Sequence, residues 1–383
     1  MPAGIWRTIS PSAHSAIGPG YVQFMTSADR TNTPTTNPPS GPGSPSPRPG
    51  LEGAPTLWWQ HLLRQLDDGV MATASRIAGQ QGFLIVLMFH GLFTSEEEAF
   101  AGDIDPYQPL TEQDLAALIE YFQANGYQFI SPADLGRDIA PSSRRVLLTF
   151  DDGYANNLRA LPILKRYDVP ATFFIAAGNV ASGEPFWWDV LYRERVRRNT
   201  GRAQIVDERQ RLKSFNNREI KAQLRSMFGA DAFTAQSDAD RPMTVAEVQT
   251  AARDPLVTIG NHTVDHELLT RVPLDDARRQ IFDCQAMLSD WTNEAPRIIA
   301  YPNGIYDDSI VKLAAEAGLT AAVTSMRGKV RLPLTANQRM RLPRYAMIGG
   351  PSLLRHCRVV MAPFSLSGIK HAIHSRRQQA ALP

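Results

Sequence analysis

The 383-residue sequence predicts an α/β fold whose parallel sheet closes into a barrel or a distorted relative of one. Two observations lead to this prediction. Short segments that are apolar throughout recur along the chain, and most are followed by the apolar spacing of an amphipathic helix. Strands that are apolar on both faces are typical of a parallel sheet covered by helices on both sides. Seven or eight such units favour a barrel.

The predicted strands are the continuous apolar runs. They are residues 83–89, 127–130, 146–150, 172–176, 257–259, 298–301 and 321–324. Helical spacing between several of them predicts helices at residues 115–122, 158–167, 274–291 and 307–317.

Other segments surround or interrupt this alternation. The later part of residues 1–54 is almost wholly Pro, Gly, Ser, Thr and Asn, so we expect a disordered segment there. Residues 55–80 have helix-like spacing and predict a helical lead-in to a domain spanning 81–350. The long polar segment at about 182–241 predicts a helical insertion near the site face, and residues 351–383 predict a solvated basic tail.

Composition excludes several classes of protein. A net charge of +2 with 20% charged residues indicates no nucleic-acid partner, and the absence of a run of about 18 apolar residues indicates no transmembrane segment. Cys284 and Cys357 are too few for a disulfide framework and are expected to be buried thiols. Residues 1–26 lack a continuous apolar run behind a basic start, so we expect a cytoplasmic protein.

Polar clusters follow four of the predicted strands. They are Phe89-His90-Gly91, Thr149-Phe150-Asp151-Asp152-Gly153-Tyr154, Ile259-Gly260-Asn261-His262 and Tyr301-Pro302-Asn303-Gly304. In a parallel barrel the carboxyl ends of the strands form the active-site face, so these clusters should converge in space.

Within these clusters, His262 and His266 lie four residues apart, and a helical turn would place both imidazoles on one face. Two histidines at this spacing are usually incidental, and an Asp-Asp-Gly sequence often only forms a turn. Asp151 and Asp152 are nevertheless adjacent carboxylates at the end of an apolar strand, which is costly without a cation. Together the clusters predict a His₂-carboxylate metal site with open positions, as in many catalytic zinc centres.

These segments resemble the three motifs of the polysaccharide deacetylase family, also called carbohydrate esterase family 4 or the NodB homology domain. Residues 149–154 look like the first motif, 262–266 like the second and 301–304 like the third, and the resemblance covers roughly 83–348. It implies a distorted (β/α)₇ barrel. It also implies that Asp151 is the base and that three residues hold a divalent ion, expected to be zinc. These ligands are Asp152, His262 and His266.

The resemblance further implies hydrolysis of an N-acetyl or another small acyl group on a carbohydrate or sugar-lipid. Asp151 would take a proton from the attacking water, whose pKa the ion lowers. The backbone N–H of Asn303 is expected to stabilise the oxyanion with the metal, and Tyr301 is expected to lie beside the substrate.

Two departures from the family pattern concern the acid and the residue that positions the base. The sequence has no convincing Leu-x-His motif, which usually supplies the general acid. His90 is the candidate for this role, because it resembles the N-terminal strand histidine of a permuted branch of the family that acts on poly-N-acetylglucosamine. The alternative is that His90 only forms hydrogen bonds in the barrel mouth. Ala300 stands where an orienting arginine is usual, and Arg344 is the hypothesised substitute.

Trp187 and Trp188 open the insertion and are candidates to stack on a sugar ring, with at least one of them expected to be structural. The favoured interpretation is therefore a metal-dependent carbohydrate deacetylase. A catalytically inactive carbohydrate-binding protein that kept the barrel, and an amidohydrolase acting on a non-sugar amide, are the alternatives.

Overall fold

The computed structural model describes residues 82–137 and 139–362. The predicted disordered segment, residues 1–54, and the predicted helical lead-in, residues 55–80, lie outside the described residues. No helix in the described part of the chain has the length and apolar character needed to cross a bilayer.

Within the described ranges the chain forms one sheet of nine strands. They are β1 (Phe83–Phe89), β2 (Gln128–Phe129), β3 (Arg144–Phe150), β4 (Ala171–Ile175), β5 (Val257–Asn261), β6 (Ile298–Ala300), β7 (Ala321–Val323), β8 (Val330–Arg331) and β9 (Tyr345–Ala346). The main path runs β7-β6-β5-β4-β3-β1-β8, with β2 paired to β3 and β9 paired to β1. All pairs are parallel except β1 with β8, which confirms the predicted parallel sheet.

The two ends of the curled sheet are joined by the segment that leads into β9. Leu342 forms a parallel bridge with Val323 at the end of β7, and its N–H donates to the carbonyl of Ala322 at 2.9 Å. Three residues later, Tyr345 pairs with Leu87 of β1. This segment therefore runs between β7 and β1, which makes the sheet a distorted barrel.

Helices surround the sheet and form the insertion. They are α1 (Glu96–Ala99), α2 (Glu112–Ala124), α3 (Ala160–Tyr167), α4 (Ala177–Ser182), α5 (Trp187–Arg197), α6 (Arg202–Leu212), α7 (Asn217–Phe228), α8 (Val245–Ala252), α9 (Leu274–Thr292), α10 (Asp308–Glu316), α11 (Ala336–Arg339) and α12 (Leu353–Met361). Several begin with a capping box, as at Thr111 and Asp114 of α2, where each side chain accepts a backbone N–H that the helix leaves unpaired.

The insertion has its own small apolar core. It is built from α5, α6 and α7, which bury residues such as Leu191, Leu212 and Leu224 against one another. Helices were predicted in this segment, although the spacing of apolar residues in α6 was too sparse to predict it.

One boundary prediction is wrong. Residues 353–361, assigned to the basic tail, form α12, which buries Leu353, Cys357 and Val360 in the main core cluster. These residues follow the spacing i, i+4, i+7 of an amphipathic helix, while the arginines between them face outward. Cys357 and Cys284 are both free and buried, as expected.

Candidate active site

The register of the sheet brings the sequence motifs to one edge. Phe89 pairs with Phe150, so His90 and Asp151 are the next residues on neighbouring strands, and the Asp151 N–H donates to the Phe89 carbonyl at 2.9 Å. On the adjacent pair, the N–H of His262 donates to the carbonyl of Ile175 at 3.1 Å. The convergence of the clusters at the carboxyl ends of the strands is therefore a property of the fold.

Asp152, His262 and His266 bring three donor atoms to one point. The Nε2 atoms of His262 and His266 lie 3.3 and 3.6 Å from Oδ1 of Asp152, and the three ligand atoms all lie within 4.8 Å of one another. Two atoms that bond to one tetrahedral zinc at about 2.0–2.1 Å are separated by about 3.3 Å. The spacing therefore fits a single divalent ion.

The contacts around these ligands also fit a cation. Oδ1 of Asp152 is buried and has no hydrogen-bond partner among the described residues, which is costly unless a cation compensates. Nδ1 of His262 lies 2.8 Å from the carbonyl oxygen of Ala300. Because a carbonyl can only accept, Nδ1 carries the proton and leaves the lone pair of Nε2 for a metal.

The backbone is strained at two of the three ligands. Asp152 has φ 75° and His266 has φ 54°, and between the two histidines Thr263 has φ 65°. Left-handed non-glycine residues cost on the order of 1–3 kcal/mol each and cluster at functional sites. Residues 262–266 thus form a loop and not the helical turn that would have placed both imidazoles on one face. The loop brings the two imidazole rings within 4.7 Å between centroids.

The pKa values of the ligands reflect their burial and mutual proximity. Burial, with the charge of His262, lowers the pKa of His266 to about 3, so this imidazole is neutral at pH 7. Burial also acts to lower the pKa of His262, but Asp152 and Asp151 outweigh it and raise that pKa. Burial acts to raise the pKa of Asp152, while the surrounding histidines outweigh it and keep the pKa low. Asp152 is therefore a carboxylate at neutral pH.

Asp151 is held by Arg344 inside the barrel. Nη1 of Arg344 lies 2.6 Å from Oδ1 and Nη2 lies 2.7 Å from Oδ2, and both side chains are buried. The guanidinium is fixed by two further bonds, from Nε to the Thr324 carbonyl at 2.8 Å and from Nη1 to Thr149 Oγ1 at 3.1 Å. Burial raises the pKa of Asp151, but the charges of Arg344 and His262 and the hydrogen bonds outweigh it and lower the pKa to about 2.

Arg344 thus lies beside the predicted base, as the sequence hypothesis requires, and reaches it from the segment that joins β7 to β1. Ala300, where the family usually has arginine, is fully buried in the apolar cluster with Ile298 and Val323. The positioning role of Arg344 stays a prediction.

His90 lies at the same edge and is half-buried. Its Nδ1 is hydrogen-bonded to Oε1 of Gln108, a buried side chain. An amide oxygen only accepts, so Nδ1 donates and Nε2 is the ring nitrogen available for proton transfer. The charge of a protonated His90 lowers the pKa of both Asp151 and Asp152, which shows that the ring lies within electrostatic range of the site.

The third motif forms a tight turn next to β7. Asn303 adopts φ 53°, and its carbonyl accepts a hydrogen bond from Ser325 Oγ at 2.7 Å. Gly304 follows with φ 70°, and a Cβ there would lie 2.1 Å from the backbone nitrogen of Ser325, so only glycine fits. The side chain of Asn303 accepts from Nζ of Lys213, which comes from the insertion, at 3.0 Å.

Tyr301 does not contact the site mouth with its side chain. The residue has 0% exposure, its hydroxyl donates to the Met340 carbonyl at 3.3 Å, and its ring stacks on Tyr306. The expectation that Tyr301 lies beside the substrate is therefore wrong for the side chain, because its ring is buried in the apolar cluster that contains Ile299 and Ile310.

The two tryptophans of the insertion have different environments. Trp187 is buried among Val190, Leu191 and their neighbours in the core of the insertion. Trp188 is partly exposed, and its ring lies edge-on to the metal-ligand candidate His266 at 4.9 Å between centroids. Trp188 is therefore the tryptophan that borders the site.

A buried polar chain orients Trp188, and the sequence interpretation missed it. Nε1 of Trp188 donates to the Tyr154 hydroxyl at 3.0 Å, and that hydroxyl lies 2.6 Å from Oδ2 of Asp189. The backbone N–H of Asp105 donates to the other oxygen of Asp189 at 3.1 Å. Burial raises the pKa of Asp189 well above its usual value. The one feature of the sequence that could have indicated this polar chain is the position of Asp189 directly after the two tryptophans.

Residues 138–322 match the family model described as polysaccharide deacetylase. YxkH of Bacillus subtilis (strain 168), which bears the provisional name of polysaccharide deacetylase, is 23% identical over 222 residues. That match covers 57% of this chain and 59% of YxkH, so it spans less than two thirds of the relative.

Two solved structures share the fold. BC0361, a polysaccharide deacetylase from Bacillus cereus, aligns with a TM-score of 0.50 at 15% identity, covering 73% of this chain and 69% of that chain. BA0330 from Bacillus anthracis, provisionally named a polysaccharide deacetylase, aligns with a TM-score of 0.50 at 16% identity and the same coverage. With the matched family model and the motif residues at one edge of the barrel, the chain resembles the polysaccharide deacetylase family over residues 138–322.

Proposed function

We propose that this protein is a metal-dependent hydrolase that removes N-acetyl groups from a carbohydrate. One observation carries the proposal, which is the convergence of Asp152, His262 and His266 on one point beside the buried ion pair of Asp151 and Arg344. A ligand triad, an ionised carboxylate and an adjacent histidine are the groups that amide hydrolysis requires.

The donor set supports zinc as the resident ion. One carboxylate oxygen and two imidazole nitrogens are typical zinc ligands, and three protein ligands leave a position open for water or substrate. When bound, such an ion supplies Lewis acidity, which lowers the pKa of water and polarises a carbonyl group. We propose that Asp152, His262 and His266 hold it.

Asp151 is the proposed base. With a pKa of about 2 it is ionised at neutral pH, so it can accept a proton from the attacking water at any physiological pH. Its two bonds to Arg344 limit rotation of the carboxylate, which keeps the accepting oxygen in one orientation during attack.

The remaining steps need a donor for the oxyanion and a proton for the departing amine. The backbone N–H of Asn303, on the strained turn after β6, is the proposed oxyanion donor. An amine leaves poorly unless it is protonated, and we assign that proton to Nε2 of His90, because Nδ1 is bonded to Gln108.

A carbohydrate substrate is supported by Trp188, whose partly exposed ring borders His266 and can stack on a sugar. The sugar can be free or joined to a lipid under this proposal. The alternative hypothesis of an inactive carbohydrate-binding protein depended partly on the missing arginine of the third motif. The pairing of Arg344 with Asp151 weakens this argument for the alternative.

The test is acyl release from a panel of N-acetylated and N-formylated sugars by the full-length protein, with and without a chelator. We expect chelator-sensitive release of acetate or formate, lost by several orders of magnitude in Asp151→Asn. The exposed carboxylate Asp290 on α9 offers a matched control, and Asp290→Asn should keep the activity. Full activity in Asp151→Asn, or no release from any sugar by metal-loaded protein, would overturn the proposal.

A further inference from the structure

The loop between α1 and α2 contacts the site at two points. Its residues 101–110 contain no helix and no strand, so they have no ladder of backbone hydrogen bonds to fix them. Gln108 of this loop is hydrogen-bonded to Nδ1 of His90, the proposed acid. Three residues earlier, the backbone N–H of Asp105 donates to Oδ1 of Asp189 at 3.1 Å. One irregular loop therefore contacts both the proposed acid and a buried carboxylate.

That carboxylate leads to the tryptophan that borders the site. Oδ2 of Asp189 accepts from the Tyr154 hydroxyl at 2.6 Å, and this hydroxyl accepts from Nε1 of Trp188 at 3.0 Å. Asp189 and Tyr154 are buried, so breaking either bond would leave a polar group without a partner away from water. A shift of the Asp105 backbone would therefore reach the indole ring through three hydrogen bonds in series.

The side chain of Asp105 joins the loop to the insertion. Its carboxylate forms an ion pair with Arg209 of α6, and Nη2 of Arg202 lies 3.5 Å from Oδ1. The side chains of Asp105 and Arg209 are only 8% and 17% exposed, so solvent screens this pair less than an ion pair on the surface. Loss of either partner would leave the other charge largely buried and uncompensated.

Apolar contacts also hold the loop, but they do not orient it. Ile104 packs in a cluster with Phe93 and Phe186, and Leu110 is buried in the main core. Hydrophobic contacts of this kind are non-directional and tolerate small displacements. The loop should therefore stay on the barrel without the ion pair, while the directions of its hydrogen bonds to the site change.

We propose that Asp105 is a positioning residue through which α6 of the insertion sets the orientation of both His90 and Trp188. Arg209 holds the loop, Gln108 orients His90, and the backbone N–H of Asp105 orients Trp188 through the buried polar chain. The inference deepens the proposed function and rests on it in assigning an acid and a sugar-stacking role. The contacts themselves do not depend on that function.

Two variants remove the ion pair by opposite changes of charge. Asp105→Asn removes a negative charge from the loop, Arg209→Met removes a positive charge from α6, and Arg209→Lys keeps the charge. A long-range effect of charge on the site would have opposite signs in the first two variants, whereas a loss of positioning has the same sign in both. Glu208→Gln is the matched control, because it makes the same carboxylate-to-amide change in the neighbouring ion pair with Arg195, at 2.6 Å within the insertion.

The kinetic measurement is kcat/KM of the full-length, metal-loaded protein for an N-acetyl amide and for an activated acetyl ester. Only the amide needs a proton from His90, and a displacement on the order of 1 Å can cost about 10²-fold. Asp105→Asn and Arg209→Met should therefore both lower the amide-to-ester ratio by about tenfold or more, whereas partial unfolding would lower both rates equally. The double variant should lose no more than the more severe single variant, since both residues act through one contact. Arg209→Lys should recover most of the ratio, and Glu208→Gln should keep it.

A second measurement does not require activity. NMR spectra of protein with isotope-labelled tryptophan and histidine report the indole N–H of Trp188 and the ring nitrogens of His90, assigned with Trp188→Phe and His90→Gln. Both sets of resonances should shift or broaden in Asp105→Asn and in Arg209→Met, and stay in place in Glu208→Gln.

Unchanged resonances in Asp105→Asn, ratio changes of opposite sign in the two variants, or an equal fall of the ratio in Glu208→Gln would overturn the inference. If the resonances respond as expected but the wild type cleaves no amide, the proposed function fails while the positioning by Asp105 stands.

Discussion

Arg344 and Asp151, 193 residues apart in the chain, form a two-point ion pair inside the barrel, with N–O distances of 2.6 and 2.7 Å. The pair joins the closing segment of the barrel to the end of β3, directly beside the metal-ligand candidate Asp152. The segment that closes the barrel therefore also orients the carboxylate of the proposed base.

Replacing Arg344 with lysine should show whether Asp151 needs only a positive charge beside it or also the two parallel hydrogen bonds of a guanidinium group. Arg344→Lys keeps a positive charge but cannot form the two parallel hydrogen bonds, so the carboxylate of Asp151 gains freedom. We expect kcat/KM to fall on the order of 10²-fold, since a displacement of about 1 Å can cost this much. Metal content should stay near that of the wild type, because Arg344 bonds Asp151 and not Asp152. Unchanged kcat/KM would show that the ion pair does not position the base.

Changing His90 should affect amide and ester substrates differently. An amine requires protonation to leave, whereas an activated acetyl ester does not, so His90→Ala should slow amide cleavage about 10²–10⁴-fold and ester cleavage far less. Comparing kcat/KM for the two substrates measures the effect. His356→Ala, at a partly buried histidine of α12, serves as the control. Equal losses on both substrates would remove the acid role and leave only the hydrogen bond to Gln108.

The tryptophan pair should divide into a binding and a structural residue. Trp188→Leu should raise KM, because its partly exposed ring borders the site, and should cost less stability than the loss of Trp187, although it removes the hydrogen bond to Tyr154. Trp187→Ala should instead destabilise the protein by about 3–5 kcal/mol, since it removes a buried side chain from the core of the insertion. Steady-state kinetics and urea denaturation distinguish the two. A rise in KM only for the Trp187 variant would reverse the assignment.

Much of the fold could be predicted because buried parallel strands are apolar throughout. The strand predicted at residues 83–89 coincides with β1, and the others differ by a few residues at their ends. Helix α12 was missed because basic residues further along the segment, from Lys370 to Arg377, dominated its composition, although Leu353, Cys357 and Val360 have helical spacing. The composition of a segment averages over all of its residues, whereas burial depends only on the residues of the helix face that packs against the core.

The residues of the candidate metal site could be singled out from residue type and strand-end position, but their backbone conformation could not. The left-handed conformations of Thr263 and His266 have no signature in residue types that ordinarily avoid them. The partnership of Lys213 with Asn303 also could not be read from the sequence, because it depends on how the insertion folds back over the third motif.

A pH-dependent contribution to stability is expected at the start of α8. Arg241 donates to both carboxylate oxygens of Glu247, at 2.8 and 2.9 Å, and these bonds are the main reason that the pKa of Glu247 is lowered to about 2. The folded-state pKa lies below the ordinary value of 4.5, so the stabilisation is present above pH 4.5 and is lost as the pH falls towards 2.

Glu247→Gln should therefore lower the free energy of unfolding by about 1 kcal/mol at pH 7, and by much less near pH 2.5. Urea denaturation at both pH values measures the difference. Glu294→Gln, at an exposed glutamate after α9, should change neither. A deficit in Glu247→Gln that persists undiminished at pH 2.5 would contradict the ion-pair explanation.

The most direct test of the account is the metal content of the purified full-length protein, measured by mass spectrometry after dialysis against zinc. We expect about one divalent ion per chain in the wild type and in Asp290→Asn, and far less in Asp152→Ala and His266→Ala. Loss of metal in both ligand variants, with the fold retained by circular dichroism, would support the site formed by Asp152, His262 and His266. A wild-type protein without bound metal, or as much metal in both ligand variants as in the wild type, would contradict it.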